Sequence, residues 1–426
     1  MKARDAGHTT TAVSRRSGTV VLVLVFLGGL INYMDRAVMG VLAPLISLDL
    51  GLDASRLGLA FGMFSVGYGA LTLVGGWASD RYGPRPVLGL SMLAWSILCG
   101  LTGTVSGFWS LLTVRTAFGA GESPWVPASN KMLSQVVHSS RFGTVFGLAS
   151  AGQPIGGAIA GPLIAIAALG WRLSFALVAA IGLAWVCAWW VLTSGHQPDR
   201  PASAVVRGGP AKVLQQPTSP VRLRRVLTGP AVLSTCFSIM AVTYAQTFFL
   251  SWFPSYLTVA RHLAQPDMAL VSGIPWILGA AGFACGGFLS DYAARKLPAD
   301  LLGRRILLSA CLLPAGVCIA LVPLVDSTQV SIALMSAAVG FLYLGGPNYF
   351  ATIHEVVPPQ CFGSAVGLLA FFSTIAGFLA PTITGLVVRI TATYTLAFAA
   401  TAAFLLAALV VFTTCARSPR SMHAAV

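Results

Sequence analysis

Asn32-Tyr33-Met34-Asp35-Arg36 sits midway along an apolar run that begins near Thr19 and reaches about Ser47. A run of that length crosses a bilayer, which needs roughly 20 residues. Charge within such a run is costly in lipid, and it persists where it faces a bundle interior, finds partners and is used. A later apolar stretch, Arg115-Thr116-Ala117-Phe118-Gly119-Ala120-Gly121-Glu122, carries the complementary pair. Together the two stretches predict four charged groups around one watery cavity, with the rest of the chain as scaffold.

The remaining composition agrees with a membrane protein crossing many times. Of 426 residues, 56% are hydrophobic and only 9% charged, with a mean hydropathy of +0.81, where a soluble protein carries about 25% charge. Forty-five glycines and 24 prolines suit helices that pack closely and bend. The net charge of +14 does not point to nucleic acid, because the basic residues are spread over short loops and no basic helix interleaved with aromatics occurs. Of the 26 Lys and Arg, 19 fall on one side of the membrane and four (Arg56, Arg172, Arg261, Arg389) on the other. Positive-inside logic therefore puts both termini and the central loop in the cytoplasm. The eight cysteines include no C-x-x-C pair, so neither disulfide nor metal site is expected. Arg15-Arg16 before an apolar run resembles a signal peptide, but the run is too long and carries Asp35-Arg36; it reads as the first transmembrane helix.

Twelve apolar segments follow, and the expected fold is an all-α membrane protein of twelve transmembrane helices in two pseudo-symmetric bundles of six. The first six lie at about 19–48, 56–79, 86–104, 107–134, 142–168 and 172–193. The second six lie at about 230–258, 268–291, 304–324, 328–350, 362–389 and 394–415. The expected units are a first bundle over 1–194, a cytoplasmic linker over 195–227, rich in Pro, Arg, Ser and Gln, and a second bundle over 228–426. Gly75-Gly76-Trp77-Ala78-Ser79-Asp80-Arg81 at the end of span two is echoed by Gly286-Gly287-Phe288-Leu289-Ser290-Asp291 at the end of span eight. This is a parallel internal repeat, the kind that places a midplane site between two related halves.

Gly76-x-x-x-Asp80-Arg81-x-Gly83-x-Arg85 resembles the cytoplasmic signature of the major facilitator superfamily. Asn32-Tyr33-x-Asp35-Arg36, Arg115-x-x-x-Gly119-x-Gly121-Glu122-x-Pro124 and Phe249–Leu257 are similar to its anion:cation symporter branch, which includes hexuronate, aldonate and phthalate carriers and the vesicular glutamate carriers. The resemblance covers nearly the whole chain. It implies alternating access, function as a monomer in the plasma membrane, an anion site at Arg36 and Arg115, and proton coupling at Asp35 and Glu122. It also implies substrate hydrogen bonds at Tyr33, Tyr68 and Gln153, and a charge-relay latch at Asp80, Arg81, Arg85 and Asp291.

The chemistry of the residues runs the same way. Arg115 and Glu122 are two helical turns apart and share a face, about 10 Å apart along the axis. Asp35 and Arg36 are adjacent, leave the helix roughly 100° apart, and each needs a partner from another helix. Arginine suits a carboxylate because its planar fork grips two oxygens and stays charged when buried. Of the 12 acidic residues, Asp35 and Glu122 lie deep within spans. An anion arriving at an arginine weakens that arginine's hold on a neighbouring carboxylate and favours its protonation, which couples anion uptake to proton uptake. A fixed ion-pair network that merely joins helices one and four is the plain alternative. Tyr244, Phe248 and Trp252 in span seven read as packing. Pro124 and Pro127 are expected to break helix four just past Glu122, and Gly152, Gln153, Pro154, Gly161 and Pro162 to loosen span five.

Two departures bear on the substrate. Sugar-acid carriers of the branch carry an asparagine in the helix-eleven cavity stretch, which here reads Leu368–Gly377 with none, and Trp125 follows Pro124 where smaller residues are common. Both favour a less polar acid, such as an aromatic carboxylate. An enzyme is not expected: all six histidines fall in loops, tails or span ends, no H-E-x-x-H occurs, and no lysine follows a glycine as a phosphate loop requires. The expected activity is proton-coupled uptake of an organic carboxylate, with the proton as coupling ion, no other cofactor and no metal. Anion exchange and efflux of drugs or organic anions are the alternatives. The expected partners are that small anion and the lipid bilayer.

Overall fold

The computed structural model describes residues 6–136, 147–194, 223–296, 302–358 and 361–416. In chain order its helices are α1 (Ala6–Leu50), α2 (Ala54–Tyr82), α3 (Pro84–Thr102), α4 (Phe108–Glu122), α5 (Trp125–Val136), α6 (Gly152–Ala167) and α7 (Trp171–Leu192). After the short α8 (Leu223–Leu227) come α9 (Pro230–Val259), α10 (Gln265–Val271), α11 (Ile274–Lys296), α12 (Leu302–Leu321), α13 (Thr328–Val356), α14 (Phe362–Thr391) and α15 (Thr395–Cys415). No strand occurs among the described residues, as expected where every backbone group must be paired inside lipid. Of the expected linker, 195–222 lie outside the described residues.

Eleven described helices are long and apolar enough to span a membrane. The span missing from that set is the fourth, which divides into α4 and α5. Helix α4 stops at Glu122 because Pro124 has no N–H to give. The chain regains helix at once, with the Ala128 amide donating to the Pro124 carbonyl at 3.1 Å. Other ends are set by local chemistry. Asp53 caps α2 by accepting the Arg56 amide at 2.8 Å, and Gly83, at φ 86°, turns the chain between α2 and α3. Helix α13 runs past the expected 350 to Val356, where Glu355 meets Arg304 at 2.8 Å.

The internal repeat has a packing counterpart. In the first half, Gly67 of α2 lies on the Thr116 carbonyl of α4, and Gly119 of α4 lies on the Phe64 carbonyl of α2. In the second half, Gly282 and Gly286 of α11 lie on the Gly340 and Leu344 carbonyls of α13. Small residues at these crossings let backbones touch.

The bundle has a basic end, carrying Arg81, Arg85, Arg224, Arg225, Arg304 and Arg305, and a far end. The halves meet towards the far end. Gly58 and Gly385 bring α2 and α14 together, Gly161 and Gly273 bring α6 against α10 and its junction with α11, and Gly40 of α1 rests on the Leu250 carbonyl of α9. Gln265 donates its side-chain N–H to the Val41 carbonyl at 3.0 Å, and Arg389 lies 3.7 Å from Asp53. Along α14 this seam opens. A Cβ at Gly377 would strike Ser65, whereas one at Gly363, about four turns nearer the basic end on the same face, would meet nothing within 4 Å.

Candidate functional site

Asn32 and Arg36 stand one turn apart on α1, so both side chains reach the same neighbour. That neighbour is Glu122, the last residue of α4. Its Oε1 accepts from Asn32 Nδ2 at 2.7 Å, from Arg36 Nε at 2.8 Å, and from Arg36 Nη2. Oε2 is buried without a hydrogen-bond partner. Glu122 is wholly buried, whereas 20% of the Arg36 side chain remains exposed. Arg36 is thus the charged group of this cluster that a solute can reach.

Three rings surround the Arg36 guanidinium: Phe64 at 4.6 Å, Tyr68 at 5.1 Å and Tyr33 at 5.5 Å from its central carbon. Phe64 serves a second cation, since the Arg115 guanidinium lies 5.1 Å from the same ring and 5.0 Å from Phe118. Arg115 is only 4% exposed and its Nε has no partner, so it stands within the wall rather than at its surface. Asp35, turned away from Arg36 by the helical pitch, is buried with Oδ1 unpaired. Its electrostatic neighbours are Glu122, Arg115 and Arg36, with the Trp95 indole of α3 beside it. The four charged residues singled out in the sequence therefore come together, with Arg36 partly exposed and Glu122, Asp35 and Arg115 buried behind it.

Tyr33 and Tyr68 border Arg36 and are partly exposed. Gln153 is also partly exposed and lies against Gly29 of α1, two turns from Arg36 towards the basic end. The second half faces the site with aromatic rings that sequence reasoning missed. Trp276 of α11 makes edge contacts with Tyr33 at 6.2 Å and with Tyr343 of α13 at 6.1 Å, and Phe283 lies 6.2 Å from Tyr343. Asn32 belongs to the charged motif of span one, and its place one turn before Arg36 was the signal for its role. No such signal marked Tyr343 or Trp276.

Trp125 is not in the cavity. It is buried against Gly28 in a chain of indoles, 5.2 Å from Trp95 and 5.5 Å from Trp185, which stacks on Trp189 at 5.0 Å. A large flat ring is accommodated there because Gly28 leaves room. This corrects the expectation that Trp125 adds aromatic surface to the site. Tyr244 packs on Phe404 at 5.5 Å, as read from its aromatic neighbours.

At the basic end, Asp80 pairs with Lys131 of α5 at 2.7 Å. Arg85 donates to Thr193 Oγ1 at 2.9 Å and covers Trp190, tying α3 to α7, while Arg81 is exposed. Asp291 lies in α11, and its side chain falls outside the described residues. Arg304, buried with Asn348, pairs with the exposed Glu355 and donates to Asn348 Oδ1 at 3.1 Å, a cluster without a sequence signal. Among the described residues, no group of three His, Cys, Asp or Glu is placed to hold a metal.

Comparison with known proteins agrees with this architecture. The chain is 38% identical over 382 residues to the hexuronate transporter of Bacillus subtilis (strain 168), covering 89% of this chain and 90% of that one. It is 27% identical over 388 residues to a probable L-galactonate transporter of Escherichia coli (strain K12), covering 90% and 86%. A bacterial homologue of the human lysosomal transporter Spinster, solved inward-facing and unoccupied, has the same fold: TM-score 0.76 at 19% identity, over 94% of this chain and 97% of that one. The first two relatives are carriers of organic acids, and the chain is a transporter rather than an enzyme. Residues 25–381 match the Major Facilitator Superfamily, and the chain belongs to that family.

Proposed function

We propose that this carrier takes up a sugar-acid anion of the hexuronate class together with a proton, by alternating access across the cell membrane, with both termini in the cytoplasm. The observation that supports it most is the partly exposed Arg36 held by the buried Glu122. A substrate carboxylate needs the same guanidinium that Glu122 occupies. While Glu122 is charged, the arginine is engaged and an arriving anion meets a neighbouring negative charge. Once Glu122 binds a proton, it loses its ionic hold, and Arg36 is free to grip the substrate with its fork. Anion and proton therefore enter together. Asp35 shares in carrying that proton, with Arg115 as its buried counter-charge, and Tyr33, Tyr68 and Gln153 are hydrogen-bonding groups along the substrate's path.

The substrate class rests on the 38% identical hexuronate relative and on Trp125 lying in the core instead of the cavity. The orientation rests on the positive-inside asymmetry of the loops. With the halves in contact towards the far end, the structure corresponds to the cytoplasm-open state. In the opposite state, Asp80, Arg81, Arg85 and Asp291 would latch the basic end.

Purified carrier in proteoliposomes, given labelled glucuronate with and without an inward proton gradient, tests this reading. The gradient should drive accumulation, Arg36→Ala should abolish uptake, and Glu122→Gln should keep exchange of internal for external substrate while losing accumulation. Uptake that ignores the gradient but requires a trapped internal anion would make the protein an exchanger and remove Glu122 from proton coupling.

A further inference from the structure

The missing asparagine of span eleven leaves open how the second half would recognise a hydroxylated substrate. In helix α14, Thr374 spends its hydroxyl proton on the Ala370 carbonyl at 2.9 Å. The Tyr343 hydroxyl of α13 is different. The residue is 4% exposed, and its hydroxyl, which interacts with Tyr33 across the interface, has no partner in full hydrogen-bonding geometry. A buried hydroxyl without a partner costs stability, and native structures keep such groups where they have a use.

Its placement indicates the use. Tyr33 and Tyr343 make edge contacts, at 6.2 and 6.1 Å, with one indole, that of Trp276. Trp276 itself is seated on Gly157 of the first half, where a Cβ would lie 2.8 Å from its ring. Phe283 and Gly279 brace the Tyr343 ring from α11. Rings so fixed hold the hydroxyl across the interface from Tyr33 and Arg36, its electrostatic neighbours in the first half. A carboxylate on Arg36 would thus direct its far groups towards Tyr343, whose buried hydroxyl it meets on entering between the Tyr33 and Tyr343 rings.

We propose that Tyr343 is the specificity-determining residue of the second half, its hydroxyl bonding a ring hydroxyl of the sugar acid whose carboxylate rests on Arg36. The bond joins the halves through the substrate, and it replaces the helix-eleven asparagine. It rests on the reading of the substrate as a sugar acid.

The test is Tyr343→Phe, which keeps the ring and its packing and removes one oxygen. Uptake of labelled glucuronate would be measured in proteoliposomes, with unlabelled cyclohexanecarboxylate, which has the carboxylate but no hydroxyls, as competitor. Loss of one neutral hydrogen bond should raise the KM for glucuronate about five- to tenfold, with maximal rate within about twofold and inhibition by cyclohexanecarboxylate unchanged. Because an unpaired buried hydroxyl is removed, the substrate-free variant should melt in detergent no lower than wild type, while its stabilisation by glucuronate shrinks. An unchanged KM would overturn the proposal, as would equal weakening towards both acids, which marks a packing or gating role. If the wild type takes up no sugar acid, the proposed function itself falls and this proposal with it, an outcome read from the wild-type arm alone.

Discussion

At the scale of single residues, the proposed mechanism is a competition for one guanidinium. Arg36 is held on one edge by Glu122 Oε1 and enclosed by three rings, and the nearest ring also carries Arg115. Two cations on one ring lie less than about 10 Å apart, a separation at which buried like charges repel unless something offsets them. The negative faces of Phe64 supply part of that offset, since a desolvated cation–π contact is worth about 2 kcal/mol. Phe64→Leu, which keeps bulk and apolarity but loses the quadrupole, should therefore raise the KM for substrate about tenfold or more, while Phe64→Tyr should stay near wild type. Equal KM values in a transport assay would reduce Phe64 to packing. Asp35, Arg36, Arg115 and Glu122 were legible in the sequence because a charge within an apolar run stands out alone. Phe64 and Tyr343 were not, since they are two of 23 phenylalanines and nine tyrosines. Only the packing of helices gives such rings their neighbours.

At the scale of helices, what matters is how closely backbones approach. Glu122 reaches Arg36 because α4 lies directly on α2, with Gly119 against the Phe64 carbonyl and Gly67 against that of Thr116. Gly119→Val would push the two helices apart at the level of the site. Overpacking of this kind costs about 1–3 kcal/mol, so the melting temperature in detergent should fall by several degrees and transport should be lost. Gly363→Ala, facing open space, should change neither. The break after Glu122 and the twelve spans could be read from proline and hydropathy, because both act locally. The extension of α13 to Val356 could not, because Glu355 is stabilised by an arginine from α12 that no local pattern pairs with it.

At the scale of the whole molecule, the two halves are joined at one end by small residues and a thin polar seam. The repeat of Gly75–Asp80 in Gly286–Asp291 announced two related bundles, but not which ends would meet, since a carrier's sequence must serve both states. The Asp53–Arg389 pair crosses the seam with both partners well exposed, so it is worth under about 1 kcal/mol and is weakened by salt. Asp53→Asn removes the charge and keeps a side chain able to cap α2. It should shift the population towards the far-end-open state by no more than about fivefold, seen as modestly faster labelling, from that side, of a cysteine introduced into the cavity. A larger shift would mean that the ion pair, rather than the glycine seam, holds the halves together.

The single oxygen on which Asn32 and Arg36 converge also has an electrical consequence. If a proton neutralises Glu122 as a substrate carboxylate replaces it on Arg36, the loaded site carries the same net charge as the empty one. Both forms then cross the field of the membrane alike. The roughly 2.3 kcal/mol that 100 mV exerts on each elementary charge neither drives nor opposes a cycle of one proton per monoanion. Acidity alone then sets the accumulation: about 1.36 kcal/mol, or a tenfold concentration of substrate, for each pH unit across the bilayer. A cell whose voltage collapses would keep feeding on its acid substrate for as long as its surroundings stay sour.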